Sequence, residues 1–279
     1  MTSSLRRPPD WLIYAGAVFA LAAFCAFEQE RADAPAAPPP VYGPELELAT
    51  EGGSLDPAKA RPLPATGEEQ VTGTAFSVSD TGVWLTARHV VNGCNRIAVL
   101  VSPGRGVLAR AAALDRSSDL AVLTTSGGAP PLPLAPDRRL GHGQLGFHPG
   151  FPRGQPGEAA SRLLGPYLLP GAGGGGRSAQ VLAWAEVGRT DGVKGSLAGL
   201  SGAPVLDAAG EVVGVTLAEG PRRGRLYSAP PTAIHAILAR AGKRPPAFAE
   251  GQPVTTENYG RAADALRRAL SVAEVACLN

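Results

Sequence analysis

From Val71 onward the chain is a succession of short runs that alternate apolar with small or polar residues, each ended by a turn. Val71–Val78 and Val83–Thr86 flank the turn chemistry of Ser79-Asp80-Thr81-Gly82, so the three segments predict a hairpin. Arg96–Val101, Val107–Leu114, Leu120–Leu123, Gln144–Phe147, Gln180–Val187, Pro204–Leu206, Val212–Leu217 and Tyr227–Ala229 continue the series. Pro231–Leu238 is a helical pattern that closes it. With 36 glycines and 27 prolines the chain is poor material for long helices. Short strands at close spacing predict an all-β fold. The proline-rich stretch Pro130–Pro136 separates two similar halves, residues 68–136 and 140–242, which predict two barrels or sandwiches within a domain spanning 68–247.

The flanks have a different character. Residues 1–10 carry Arg6 and Arg7, and residues 11–27 are apolar and uncharged, at the short limit for a bilayer span. The span runs into Glu28-Gln29-Glu30-Arg31 with no small-x-small cleavage site at its end, which predicts an uncleaved single-pass signal anchor. Secretion after cleavage is the alternative. Arginines before the span place the N-terminus in the cytoplasm and the bulk of the chain outside. Residues 28–67, rich in Ala, Pro and Glu, read as a stiff linker. In the tail, 248–279, Tyr259, Ala263, Leu266, Leu270, Ala273 and Cys277 fall three or four apart and predict a docked C-terminal helix. A net charge of +2 without a basic run speaks against a nucleic-acid partner. Cys25, Cys94 and Cys277 form no CxxC or Cys/His cluster, so no metal and no cofactor is expected. Outside the cytoplasm two thiols tend to oxidise, so Cys94 and Cys277 read either as a disulfide that pins the tail to the first barrel or as two free buried thiols. Cys25 belongs to the span.

Chemistry points to Gly199-Leu200-Ser201-Gly202-Ala203-Pro204. A serine needs a base to take its proton, and a backbone free to aim N–H groups at a developing oxyanion. His89, after the first hairpin, is the candidate base. Asp119, before the run Leu120–Leu123, is the candidate that orients it. Alone, His89 reads equally as a helix-end histidine, Asp119 as a turn cap and Ser201 as part of a turn. His142, His148 and His235 read as turn or surface residues. Asp115 stands four residues before Asp119, and Asp137 and Asp191 have no motif around them. The order His, Asp, Ser is the reverse of that expected for an α/β-hydrolase.

Gly73–Val78, Leu85–Val91, Asp119–Leu123, Gly146–Gly150 and Leu200–Val205, in this order, resemble the chymotrypsin-like (trypsin-like) serine peptidases, closest to the bacterial Deg/HtrA-type branch, over residues 69–240. The resemblance implies a double six-stranded β-barrel with the site in the cleft between barrels. His89 is then the general base, Asp119 its orienter, Ser201 the nucleophile, and the N–H groups of Gly199 and Ser201 the oxyanion hole. It implies an endopeptidase acting on proteins or peptides, in the bacterial inner membrane with its domain in the periplasm. Leu200 and Ala203 stand where the family has a polar residue and a second glycine. Leu200 cannot pair with a newly cut N-terminus, so activation by such a cut is not expected. Arg88 replaces an alanine and reads as a solvated charge. The stretch after the domain is too short for a PDZ domain. By analogy the substrate pocket is lined by Gly195, Thr216, Leu217 and Ala218. With no carboxylate at Gly195, a small or apolar substrate side chain is expected; Glu219 is the one exception to weigh, and reads more simply as surface. A catalytically inactive binding module of the same fold and a membrane-tethered scaffold are the readings from other classes.

Overall fold

The computed structural model describes residues 55, 60–63, 71–135, 139–173, 177–190, 193–220, 224–244 and 251–278. The predicted span at 11–27, most of the linker at 28–67, Cys25, Asp137 and Asp191 lie outside the described residues. No helix among the described residues is long and apolar enough to cross a membrane.

The elements follow the predicted series closely. The first half holds β1 (Arg61–Pro62), β2 (Val71–Ser79), β3 (Val83–Ala87), the single-turn helix α1 (Arg88–Val91), β4 (Arg96–Ser102), β5 (Arg105–Asp115) and β6 (Leu120–Thr125). The second holds β7 (Leu145–Gly150), a 3-10 turn at Pro152–Gly154, β8 (Gly157–Gly173), β9 (Arg177–Arg189), β10 (Pro204–Leu206), β11 (Val212–Glu219), β12 (Arg225–Ala229) and α2 (Pro231–Arg240). The tail contributes α3 (Tyr259–Arg268) and β13 (Val272–Leu278). Strand β8 was not legible in the sequence, because Gly165, Pro166 and Pro170 interrupt its pattern.

Six strands of the second half close into a barrel in the order β10-β11-β12-β9-β8-β7. The first sheet, β1-β5-β4-β13-β2-β3-β6, also closes, through the pairing of β5 with β6. The double barrel expected from the resemblance is therefore present, but the chain is divided differently. The first barrel is not completed within 68–136. Its sixth strand is β13, antiparallel to both β2 and β4, with Val275 opposite Gly73 on one side and Val99 on the other.

This corrects the reading of the tail as one helix. The helix stops at Arg268, Leu270 takes φ 58, and the chain turns into a strand. Without β13 the facing edges of β2 and β4 would leave a row of unpaired N–H and C=O groups, and satisfying both edges outweighs continuing the helix. Cys277 thus lies on a strand, where it is disulfide-bonded to Cys94. The end of the supposed linker is also built into the fold. Arg61 and Pro62 pair with Gly106 and Arg105, and Leu55 is buried.

The tail clasps both barrels. While β13 completes the first, α3 is pinned to the second by a buried ion cluster. Arg267 pairs with Glu158 of β8 at 2.9 Å and with Asp264 at 2.7 Å, and its guanidinium also donates to the carbonyls of Gly150 and Gly157. Thr190 donates to the other oxygen of Glu158. Phe147 stacks on Tyr259 at 5.7 Å between ring centres.

Candidate active site

His89 is placed by α1, which follows β3 and sinks Val90 and Val91 into the core. The helix approaches β2 so closely that a Cβ on Gly73 would stand 2.6 Å from Val90, so that position requires glycine. Asp119 takes a left-handed φ of 55, and its carbonyl accepts the Arg88 N–H at 2.7 Å. Its carboxylate therefore faces α1. One oxygen meets His89 Nδ1 at 2.6 Å, and the other accepts the His89 backbone N–H at 3.2 Å. The structure brings these two residues together as an imidazole with a fixed orientation, its ring 43% exposed and the carboxylate 14% exposed. Arg88, expected as a solvated charge, instead lays its guanidinium against the same carboxylate at 3.3 Å.

Ser201 lies in the loop before β10. Gly202 has φ 91, and a Cβ there would sit 2.0 Å from the Thr74 carbonyl oxygen. This glycine lets the loop press against β2, where the Thr74 N–H donates to the Ser201 carbonyl at 2.9 Å. The serine is thereby held against the first barrel, which bears His89. Its hydroxyl donates to the Leu217 carbonyl at 3.1 Å, and among the described residues it makes no hydrogen bond to the His89 ring.

The peptides before Ser201 are individually fixed. The Ala198 carbonyl accepts the Arg153 N–H at 2.5 Å, and the Gly199 carbonyl accepts the Thr74 hydroxyl at 2.8 Å. The Leu200 carbonyl accepts the Ala203 N–H at 2.9 Å. In a trans peptide C=O and N–H point oppositely. The N–H groups of Gly199 and Ser201 therefore point away from these partners, and neither has an acceptor among the described residues. Two free N–H groups flanking a serine are the composition of an oxyanion hole. Thr74 and Arg153 were missed as site residues. Thr74 stood in a recognised motif without a role, and the contribution of Arg153 is its backbone, which side-chain patterns do not report.

Of the predicted pocket residues, Gly195 is exposed, Leu217 offers its carbonyl, and Ala218 is half-buried beyond it. Thr216 is a correction. Its side chain points into the second barrel, where its hydroxyl meets His148 Nδ1 at 2.9 Å. His148, expected near the surface, is wholly buried, with Nε2 2.7 Å from Ser161 Oγ. Ser161 in turn donates to the Gly146 carbonyl, so the neutral ring donates from Nε2 and accepts at Nδ1. His235 is half-buried beside the Ala135 carbonyl, His142 is exposed, and Asp115 caps its own turn through Ser117 and Ser118 while pairing with Arg240. Glu219, expected at the surface, accepts from Ser196 and the Leu197 N–H.

Burial holds His148 down from 6.5 to about 3. Between these values the unfolded chain binds a proton that the fold refuses, so this contribution to stability is full above 6.5 and is lost as pH falls toward 3. Burial pushes Glu158 and Glu274 up to about 7, which acts in the opposite sense. The informative quantity is therefore a difference. From pH 7 to pH 5, His148→Gln is expected to gain about 2 kcal/mol relative to the parent in urea unfolding. A constant difference between the two proteins would show that burial of His148 does not govern this term.

The trypsin-like peptidase domain model matches residues 73–215. The chain belongs to the trypsin-like peptidase family. A curated relative, the putative serine protease HhoA of Synechocystis, is 29% identical over 149 residues, covering 52% of this chain and 36% of its own length. The chain thus spans little more than a third of that relative. Among solved structures, the active form of the Rv3671c protease from M. tuberculosis superposes with TM-score 0.53 at 20% identity, over 92% of this chain and 98% of the other. An inactive form of the Rv3671c protease gives TM-score 0.50 at 23% identity, over 61% and 83%. These likenesses show the shared fold.

Proposed function

We propose that this trypsin-like peptidase is a serine endopeptidase that hydrolyses peptide bonds in protein or peptide substrates through an acyl-enzyme. The observation that carries the reading is the His89–Asp119 pair, 2.6 Å apart, on the barrel against which the Ser201 loop is pressed. On substrate binding the Ser201 hydroxyl leaves the Leu217 carbonyl and gives its proton to His89 Nε2. Asp119 holds the ring by Nδ1 and stabilises the imidazolium. Ser201 Oγ bonds to the scissile carbonyl carbon of the substrate. The carbonyl oxygen, now an oxyanion, is received by the N–H groups of Gly199 and Ser201, and collapse of this intermediate breaks the C–N bond. His89 then protonates the leaving amine, and water repeats the sequence to release the acid.

Residues 11–27, preceded by Arg6 and Arg7, support tethering to a bilayer, with the peptidase domain in the periplasm of a bacterium. Residues 28–54 then serve as the spacer, ahead of the buried Leu55.

The bond from Ser201 to the Leu217 carbonyl favours a second reading, a silent binding module on the same fold. A fluorophosphonate probe applied to the full chain decides between them. Labelling of Ser201, abolished in Ser201→Ala and cut at least 1,000-fold in rate in His89→Ala (roughly the magnitude expected for a triad member), is the expected result. Folded protein that does not label at Ser201 is the silent module.

A further inference from the structure

We propose that Arg267, in the tail helix α3, is a positioning residue that sets the aim of the oxyanion hole beside Ser201. The proposal rests on the serine-peptidase reading and adds the part that the tail plays in its site.

The Gly199 N–H is aimed by the Arg153 N–H, which holds the Ala198 carbonyl at 2.5 Å. Whatever holds Arg153 therefore decides how well that N–H meets an oxyanion. Arg153 belongs to the 3-10 turn Pro152–Gly154, where it takes φ 54 and Gly154 takes φ 70. A side chain in the left-handed region persists only where its surroundings over-determine it. The turn leaves β7 at Gly150 and enters β8 at Gly157, and these two residues are paired across the sheet.

Arg267 closes the neck of that turn. Its Nη1 donates to the carbonyls of Gly150 and Gly157, at 3.3 Å each, and meets Glu158 at 2.9 Å. Its Nη2 meets Asp264 at 2.7 Å. A planar guanidinium with acceptors on both outer nitrogens has its plane fixed. At 1% exposure these charge-assisted bonds meet no competition from water. The second element of the tail borders the same turn, since a Cβ on Gly154 would stand 3.2 Å from the Glu274 carboxylate of β13. From the first barrel the Thr74 hydroxyl accepts the Phe151 N–H at 3.1 Å. The chain that leaves β9 toward Ser201 is tied to the same cluster, because Thr190 bonds to Glu158 through both its hydroxyl and its N–H. Loosening the neck lets the left-handed pair relax, which draws the Arg153 N–H off the Ala198 carbonyl and frees the Gly199 N–H to swing. The loss then falls on the step that forms the oxyanion rather than on binding.

The test measures fluorophosphonate labelling of Ser201 in the full chain in detergent, resolved into the limiting rate kinact and the half-saturating concentration KI. Arg267→Lys keeps a cation for Glu158 and Asp264 but replaces the planar fork with a single nitrogen. It is expected to lower kinact about 100-fold, the effect of misplacing a reacting group by roughly 1 Å, and to leave KI unchanged. In the Arg153→Pro background the same substitution is expected to cost less than about 3-fold, because the contact through which it acts is already gone. Losses that multiply in the double variant, an unchanged kinact, or a loss confined to KI overturn the proposal. Asp264→Asn, which loosens the guanidinium without emptying its site, takes the place of a lysine variant that circular dichroism shows unfolded, and is held to the same coupling with Arg153→Pro. A parent that labels while the two positions act independently overturns the Arg267 proposal alone. A folded parent that does not label at Ser201 overturns the underlying reading with it.

Discussion

Replacing Arg153 with proline is expected to lower kcat by roughly 100- to 1,000-fold, the effect of losing an oxyanion-hole donor. The arginine side chain is not the cause. Its backbone N–H holds the Ala198 carbonyl at 2.5 Å, and that carbonyl fixes the direction of the Gly199 N–H. Proline has no N–H to donate, and its φ of about −65° is far from the φ of 54 found at this turn. Freed, the Ala198–Gly199 peptide can rotate and turn its carbonyl into the space meant for the oxyanion. Arg153→Gly keeps the N–H and accepts positive φ without strain, so it should retain most of the activity. The comparison of kcat and KM in the two variants, with circular dichroism to verify folding, is the measurement. Equal losses in both would move the role from the backbone to the guanidinium.

The second large effect concerns the tail. Cys94→Ser combined with Cys277→Ser is expected to lower stability by about 2–5 kcal/mol in urea unfolding. The disulfide links positions separated by 183 residues, so it removes much freedom from the unfolded chain. It also fastens β13, and that strand is the sixth wall of the barrel bearing His89 and Asp119. Reducing agent should lower the parent to the level of the double variant and leave the variant unmoved. A midpoint insensitive to reductant would show that β13 is held by its two ladders alone.

Arg88 and Asp119 show how far local reading reaches. Asp119 was legible because a polar residue before an apolar strand stands out, and the order His89, Asp119, Ser201 restricted the chemistry. The contact of Arg88 with the same carboxylate was not, because it depends on the left-handed turn at Asp119 that brings residues 31 apart in sequence face to face.

Elements whose signal is local can be read from the residues alone: the alternating strands, the turns between them, the helix at Pro231, and the residue types at the candidate site. Alternation survives in any context because one face of a half-buried strand must be apolar. Four matters depend on the assembled fold. It made residues 272–278 a strand, since an apolar stripe serves either element until an open sheet edge selects one. It turned Thr216 inward to His148 and made Arg153 a backbone support. It also placed the Glu219 carboxylate against the Ser196 hydroxyl and the Leu197 N–H. Each depends on partners far along the chain, as when Thr74 holds the Gly199 carbonyl 125 residues away. Such hydrogen bonds come into being only when the two barrels and the tail close on one another, and no periodicity within a segment encodes them.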